Sequence, residues 1–310
     1  MVFADLKNDF VFRRIFAKHP DILCGLLNDL LDRQDERTIE LIEYLPSEQL
    51  PLVAGAKLSI LDVRCRDRAG TTFVVEMQLL HMAGFVNRVV YNACKAYADQ
   101  LRAGDSYTKL NDVIAISICD FVLWPDAEQD AANAPRIPML SRWNMTERAS
   151  GNHGLLQVQY AFLELPKLPP GKPTNGAELW AWLFVHGPGL TEIPSELPKG
   201  PFRAAVELAN EATFSTLEME AYRKVMDEIQ QARDYGETKR AEGREAGLIE
   251  GHKSGLLEGK RDTLFRLFER AGMQLTIAER DRIHACNDVV QLDKWTENIF
   301  GAQKSDDVFG

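Results

Sequence analysis

From residue 8 the chain sets Phe10, Val11, Ile15 and Phe16 at helical spacing, which predicts a helix over residues 8–18 that Pro20 ends. Residues 21–31 predict a second short helix, with Ile22, Leu23, Leu26, Leu27, Leu30 and Leu31 on one broad side. Residues 38–45 suit a strand, the alternative being the end of that helical region. Two β-rich runs follow at 58–66 and 71–79, joined by Asp67-Arg68-Ala69-Gly70. Residues 85–101 predict a strong helix that stops by Gly104. Residues 112–123 are nearly all β-branched or apolar, the pattern of a strand buried on both faces.

Residues 124–154 are rich in Pro, Asn, Ala and Ser, with one strand predicted at 139–146. A strand follows at 155–165 and a proline-rich break at 166–173. The run Leu179-Trp180-Ala181-Trp182-Leu183-Phe184 has the aromatics of a membrane-interface segment, but it is short and lacks flanking basic residues, so a core helix over 175–186 is expected. Everything after Pro201 reads as helix. Glycines recur every fourth residue at 243, 247, 251, 255 and 259. Three short amphipathic helices are expected at 262–270, 277–286 and 290–300. The predicted organisation is a core over 1–190, a long helical segment over 201–260 and a small helical region over 261–310.

Composition narrows the class. A 45% hydrophobic and 26% charged chain of 310 residues fits a globular protein with a sizeable core. No apolar run reaches the 18 residues of a membrane span, and a start carrying Asp5, Lys7 and Asp9 does not read as a signal peptide. Cys24, Cys65, Cys94, Cys119 and Cys286 are odd in number and irregularly spaced, which suggests neither a disulfide framework nor a zinc site and fits a reducing cytoplasm. The net charge of −10 counts against a protein that simply coats nucleic acid. The acidity is uneven, however: residues 1–110 hold 14 Lys and Arg against 15 Asp and Glu.

Candidate chemistry lies in the 58–79 hairpin. A three-residue loop usually carries its glycine last, in the left-handed conformation. Taking Arg68-Ala69-Gly70 as that loop pairs Asp67 with Thr71 and, counting outward, sets Asp62 opposite Glu76. Alternation then puts Leu61, Val63, Cys65, Phe73, Val75, Met77 and Leu79 on an apolar face. Asp62, Arg64, Arg66, Glu76 and Gln78 fall on the other, together with Leu58, Ile60 and Val74. Opposed carboxylates ~5 Å apart destabilise a sheet unless they share a proton or bind a hard cation. Mg²⁺ suits such a pair because it takes one or two carboxylates and keeps its other positions for water and phosphate oxygens. The alternative is a plain solvent-facing strand surface with Arg64 or Arg66 neutralising both acids.

Several stretches together resemble a known group. They are Lys7-Asn8-Asp9-Phe10-Val11-Phe12 with Ile15-Phe16, then Leu61-Asp62-Val63, Val75-Glu76-Met77-Gln78, Arg88 with Tyr91, and Tyr97-Ala98-Asp99-Gln100-Leu101 with Gly104 and Tyr107. Glu164-Leu165-Pro166-Lys167 and the Glu-Gly repeats follow. The chain resembles the PD-(D/E)XK nuclease superfamily and, more closely, the Rpn family of recombination-promoting nucleases, also described as transposases. The resemblance implies an α/β core of αβββαβ type, a mixed sheet flanked by helices, with a C-terminal helical tail. It implies a Mg²⁺-dependent DNA endonuclease, with Mn²⁺ as a substitute, that hydrolyses phosphodiester bonds by an activated water. Asp62 and Glu76 would ligate the metal, with the Met77 carbonyl as a third oxygen.

Gln78 stands where the superfamily usually has Lys; an amide is neutral and orients only by hydrogen bonds, which leaves the source of a cation beside the attacked phosphate open. Arg88, Tyr91, Asn92 and Lys95, spaced i, i+3, i+4 and i+7, offer substitutes on one helix face, an ordinary exposed side being the alternative. Asp9 resembles the extra acid some of these nucleases bring to the metal, although such an Asp is commonly a cap or dipole partner. Arg64, Arg88 and Tyr91 are the expected nucleic-acid contacts, and Arg13 and Arg14 are further phosphate candidates. No phosphate-loop, zinc-helix or nucleophile-elbow motif occurs. The glycine repeat is expected to join copies of the chain, a frayed linker being the alternative, and DNA is the expected partner, with no membrane. A rival reading is a catalytically weak or inactive nuclease-derived scaffold that binds DNA or protein and oligomerises through its tail.

Overall fold

A computed structural model describes residues 1–49, 59–60, 62–125 and 136–310. Leu58 and Leu61 lie outside these residues. The chain forms two units, Met1–Gln231 and Ala232–Gly310.

The first unit opens with α1 (Asp9–Phe16), which Asn8 caps by accepting the amides of Phe10 and Val11. That cap satisfies two of the otherwise orphaned first-turn donors, a contribution of about 1 kcal/mol. Pro20 opens α2 (Pro20–Leu31) rather than merely ending α1; its fixed φ suits a first helical turn. Strand β1 (Ile42–Tyr44) follows, then β2 (Glu48–Gln49) and β3 (Ser59–Ile60), which pair with each other in a separate small sheet. The single strand expected over 58–66 is therefore broken. Asp62 sits on a bend, and the hairpin strand proper is β4 (Val63–Asp67), followed by β5 (Thr72–Gln78). Next come α3 (Phe85–Ala98), β6 (Val113–Cys119), β7 (Leu140–Met145), β8 (Leu155–Glu164), α4 (Gly176–His186) and α5 (Pro201–Ala209).

Six strands make one mixed sheet in the order β1-β4-β5-β6-β8-β7. The β4–β5 register is the one the turn predicts, with Val63 opposite Val75 and Arg66 opposite Thr72. Gly70 closes the turn at φ +93, and an added Cβ there would meet the Asn111 side chain at 2.6 Å. Strands β5, β6 and β8 run parallel, so their C-terminal ends, carrying Gln78, Cys119 and Glu164, lie at one edge. All seven residues of β6 are buried, as expected of a strand covered on both faces.

One core packs Val63, Cys65, Phe73 and Val75 against α1, α2, α4 and α5, with Trp180, Phe12, Phe16 and Phe184 fully buried. A second core packs Val74, Val113 and Ala115 against Phe85, Val89, Ala93 and Ala96 of α3. The face carrying Glu76 is therefore not the plain solvent-facing surface that alternation offered as the alternative: α3 covers it, and Val74 belongs to its core.

Helix α6 (Thr216–Arg270) begins in the first unit and continues into the second. It absorbs the separate helix expected at 262–270, because the five glycines do not interrupt it. In the second unit its last turns supply Leu257, Leu264 and Phe268 to a core with α7 (Ile277–Ala285), α8 (Val289–Asn298) and the terminal Val308 and Phe309. Among the described residues, no helix is long and apolar enough to cross a membrane.

Candidate metal centre

The break before β4 has a local cause. In an unbroken ladder the Met77 amide would face a β4 carbonyl; instead Asp62 Oδ2 accepts it at 2.7 Å. The side chain thus replaces backbone at the end of the ladder, and Asp62 is delivered to the sheet's edge beside Glu76. Along a strand the N–H and C=O of one residue leave on the same side. The Met77 carbonyl therefore leaves toward Asp62, whereas that of Gln78 faces β6 and takes the Asp120 amide at 2.9 Å.

Two helices reach this edge from opposite faces. From α1, Arg13 donates Nη2 to Asp62 Oδ1 at 3.1 Å and Nε to Asp9 Oδ1 at 2.9 Å, so it stands between the two acids. Asp9 is not the cap, which is Asn8; it lies in the first turn and holds Arg13 by i,i+4 spacing. From α3, Asn92 donates Nδ2 to Glu76 Oε1 at 2.9 Å, and Arg88 places a guanidinium nitrogen 3.6 Å from Oε2. Glu76 is only 7% exposed, and its Oε2 accepts no hydrogen bond. Gln78 accepts from Arg88 through Oε1 and donates to the Leu80 carbonyl at 2.9 Å. It therefore aims the guanidinium at Glu76.

The electrostatics of the pair follow from burial. Desolvation pushes Asp62 up to about 7; Asp9 and Glu76 add to the rise, while the Met77 amide and Arg13 oppose it. Glu76 is also raised by burial, against the pull of Arg88 and Asn92. The arginines engaging the acids are Arg13 and Arg88, and neither is the Arg64 or Arg66 that strand alternation offered. Burial lowers Arg64, and the charge that opposes this is Asp99 at the far end of α3. Its place two residues along β4 from the bend accounts for this.

The α3 face divides. At about 100° per residue, the buried arc is centred near Val89 and Ala96. Arg88 and Asn92 flank it on the side of Glu76, and Lys95 is 8% exposed. Tyr91 falls outside the arc and is 43% exposed. Sequence spacing groups all four side chains, but only the packing of α3 separates them. The role of Arg13 was the least visible in the sequence, because it carries no spacing signal toward residue 62.

A further buried acid lies at the same edge. Glu164 is fully buried, accepts the amides of Leu123 and Trp124 at 2.6 and 3.2 Å, and pairs with Lys167 at 2.9 Å. The motif Glu164-Leu165-Pro166-Lys167 thus anchors the segment leaving β6, a structural duty. His81 borders the site as a loop residue, its ring 5.1 Å from that of Phe121.

Residues 6–238 match the PD-(D/E)XK nuclease family transposase. The chain belongs to this family. No curated protein and no solved structure matched it. Membership accounts for the order of elements: helix, three antiparallel strands, helix α3 and parallel strand β6.

Proposed function

We propose that the chain is a Mg²⁺-dependent DNA endonuclease that hydrolyses phosphodiester bonds, in keeping with recombination or transposition. The observation that carries this reading is the convergence of Asp62 and Glu76 at one sheet edge, both desolvated and both held above their ordinary pKa. The donor set fits the ion. Glu76 Oε2 is a buried oxygen without a hydrogen bond, and Asp62 carries more negative surroundings than Arg13 offsets. Among the described residues no third His, Cys, Asp or Glu completes a cluster. Two carboxylates, with the Met77 carbonyl alongside, suit a cation that retains waters and phosphate oxygens.

When bound, Mg²⁺ would supply Lewis acidity and an activated water. The chain's own residues do the rest. Asn92 fixes the rotamer of Glu76, and the Met77 amide fixes that of Asp62. Arg88, steered by Gln78, supplies the positive charge that a lysine at position 78 would have given, facing the charge that develops on the phosphate. Arg13 balances Asp9 and Asp62, and Lys95 lies next on the α3 border. Arg64 and Tyr91 are assigned to nucleic acid flanking the site, Arg64 from the α3 end of β4 and Tyr91 from the exposed side of α3. The unpaired cysteines fit a reducing cytoplasm.

A second reading draws on the same ion pairs. With Arg13 on Asp62 and Arg88 beside Glu76, the acids are partly neutralised by protein cations, as in a scaffold that binds without cutting. Plasmid nicking separates the two. With Mg²⁺ or Mn²⁺ the parent is expected to nick and Asp62→Ala to be inactive. In the same assay Arg88→Ala should fall about 100-fold, and Gln78→Lys should restore part of that loss. No nicking by the parent with either metal decides for the scaffold.

A further inference from the structure

Beside the acid pair, on the α1 side, runs a groove of about 500 Å³ between α1 and the first turns of α6. Its walls carry Arg13, Arg14, Lys18 and Lys224 against Asp9 and Glu228. In a chain with net charge −10, a cluster of four cations beside two buried acids stands out. The cations are not equally committed. Arg14 pairs with Glu218, lies over the Phe214 ring at 4.6 Å and is part of the packing between the helices. Arg13 holds Asp9 and Asp62. Lys18 is exposed, and Lys224, with a side chain 78% exposed, has Glu228 only at 3.9 Å.

The wall is firmly built. Phe10 meets Phe214 edge-on at 6.0 Å, the Tyr222 hydroxyl accepts the Asp5 amide at 3.2 Å, and Asn8 Nδ2 donates to the Tyr222 carbonyl at 3.4 Å. These contacts fix the start of α6 against α1, so Lys224 is held across from Lys18 on a groove that Arg13 connects to Asp62. A row of cations leading to a phosphodiester-cutting centre has a natural occupant of repeating negative charge. Phosphate contacts of this kind give affinity and register without reading bases.

We propose that the α1–α6 groove is the track for the sugar–phosphate backbone flanking the scissile bond, with Lys18 and Lys224 contacting successive phosphates. The proposal rests on the nuclease reading, and it makes α6 part of the substrate site. Binding of a fluorescein-labelled DNA duplex to the full-length Glu76→Gln protein, read by anisotropy across a KCl series, tests it without cleavage. Adding Lys18→Ala and Lys224→Ala should weaken binding about tenfold and flatten the log–log salt slope by about 2. The Lys18→Arg and Lys224→Arg pair should keep both. An unchanged slope, or no measurable duplex binding by the Glu76→Gln protein, overturns the track. The nuclease reading is scored separately, by cleavage of the p-nitrophenyl ester of thymidine 5′-phosphate by the parent, a substrate too short to reach the groove. The alanine pair should leave that rate unchanged.

Discussion

Asp62 holds its charge at a cost, and that cost has a measurable sign. Its folded pKa is about 7 against 3.8 for an ordinary aspartate, so the folded chain binds the proton more tightly than the unfolded chain. The stability this group contributes is complete below about pH 4 and is lost as pH rises through 7. In metal-free protein, Asp62→Asn should therefore flatten the decline in stability between pH 5 and 8. At the upper end the variant should exceed the parent by on the order of 2 kcal/mol, less whatever the Arg13 contact contributes. Urea melts across that range check it; parallel curves for parent and variant would refute the buried-charge account. The same conflict between stability and function is expected of any two acids brought together to hold a cation.

Glycines show how the same residue serves different elements. Gly25 lies in the middle of α2, where glycine costs about 1 kcal/mol against alanine. An added Cβ would meet Pro201 of α5 at 2.7 Å, so close helix contact is what the glycine permits. Gly176, at the start of α4, similarly admits the Asp29 carboxylate, which also takes the Trp180 Nε1 hydrogen at 2.8 Å. At Gly243, Gly247, Gly251, Gly255 and Gly259 an added Cβ meets nothing within 4 Å. Gly25→Ala is thus expected to lower stability by about 1–3 kcal/mol. In the unassociated chain, at concentrations low enough to keep it monomeric, Gly247→Ala should raise the helicity of α6, by about 1 kcal/mol for that position. Thermal melts followed by circular dichroism distinguish them; destabilisation by Gly247→Ala would show that the position is already packed.

At the scale of the molecule, the five glycines of the repeat carry a helix cost that no contact at their own Cβ positions offsets. A period of four drifts by about 40° per step on a 3.6-residue helix, leaving a winding groove that a second copy's helix can enter. Self-association through this segment is our reading of the repeat. Sedimentation of the full chain against a chain ending before Ala241 tests it: the full chain should be oligomeric and the shortened one not. Equal states for both would return the repeat to the role of a linker. The second unit's core around Phe268, Trp295 and Phe309 takes in Leu257 from between Gly255 and Gly259, while the glycines themselves face open space.

Local chemistry fixed much of this before any tertiary contact was known. Turn geometry at Gly70 set the β4–β5 register, because one left-handed residue leaves a single way to pair the strands. Alternation in β4 and β5, and the unbroken apolar run of β6, identified the sheet, and Asp62 and Glu76 supplied the candidate acids. What the sequence left open was which surface covers which. Alternation marks a polar side but cannot tell water from a second helix, so α3 over Val74 and Glu76 was invisible. Spacing puts Tyr91 beside Arg88, yet only packing decides where the buried arc of α3 ends. Arg13 reaches Asp62 across 49 residues of chain, a contact set by how α1 docks on the sheet and by no pattern along the sequence.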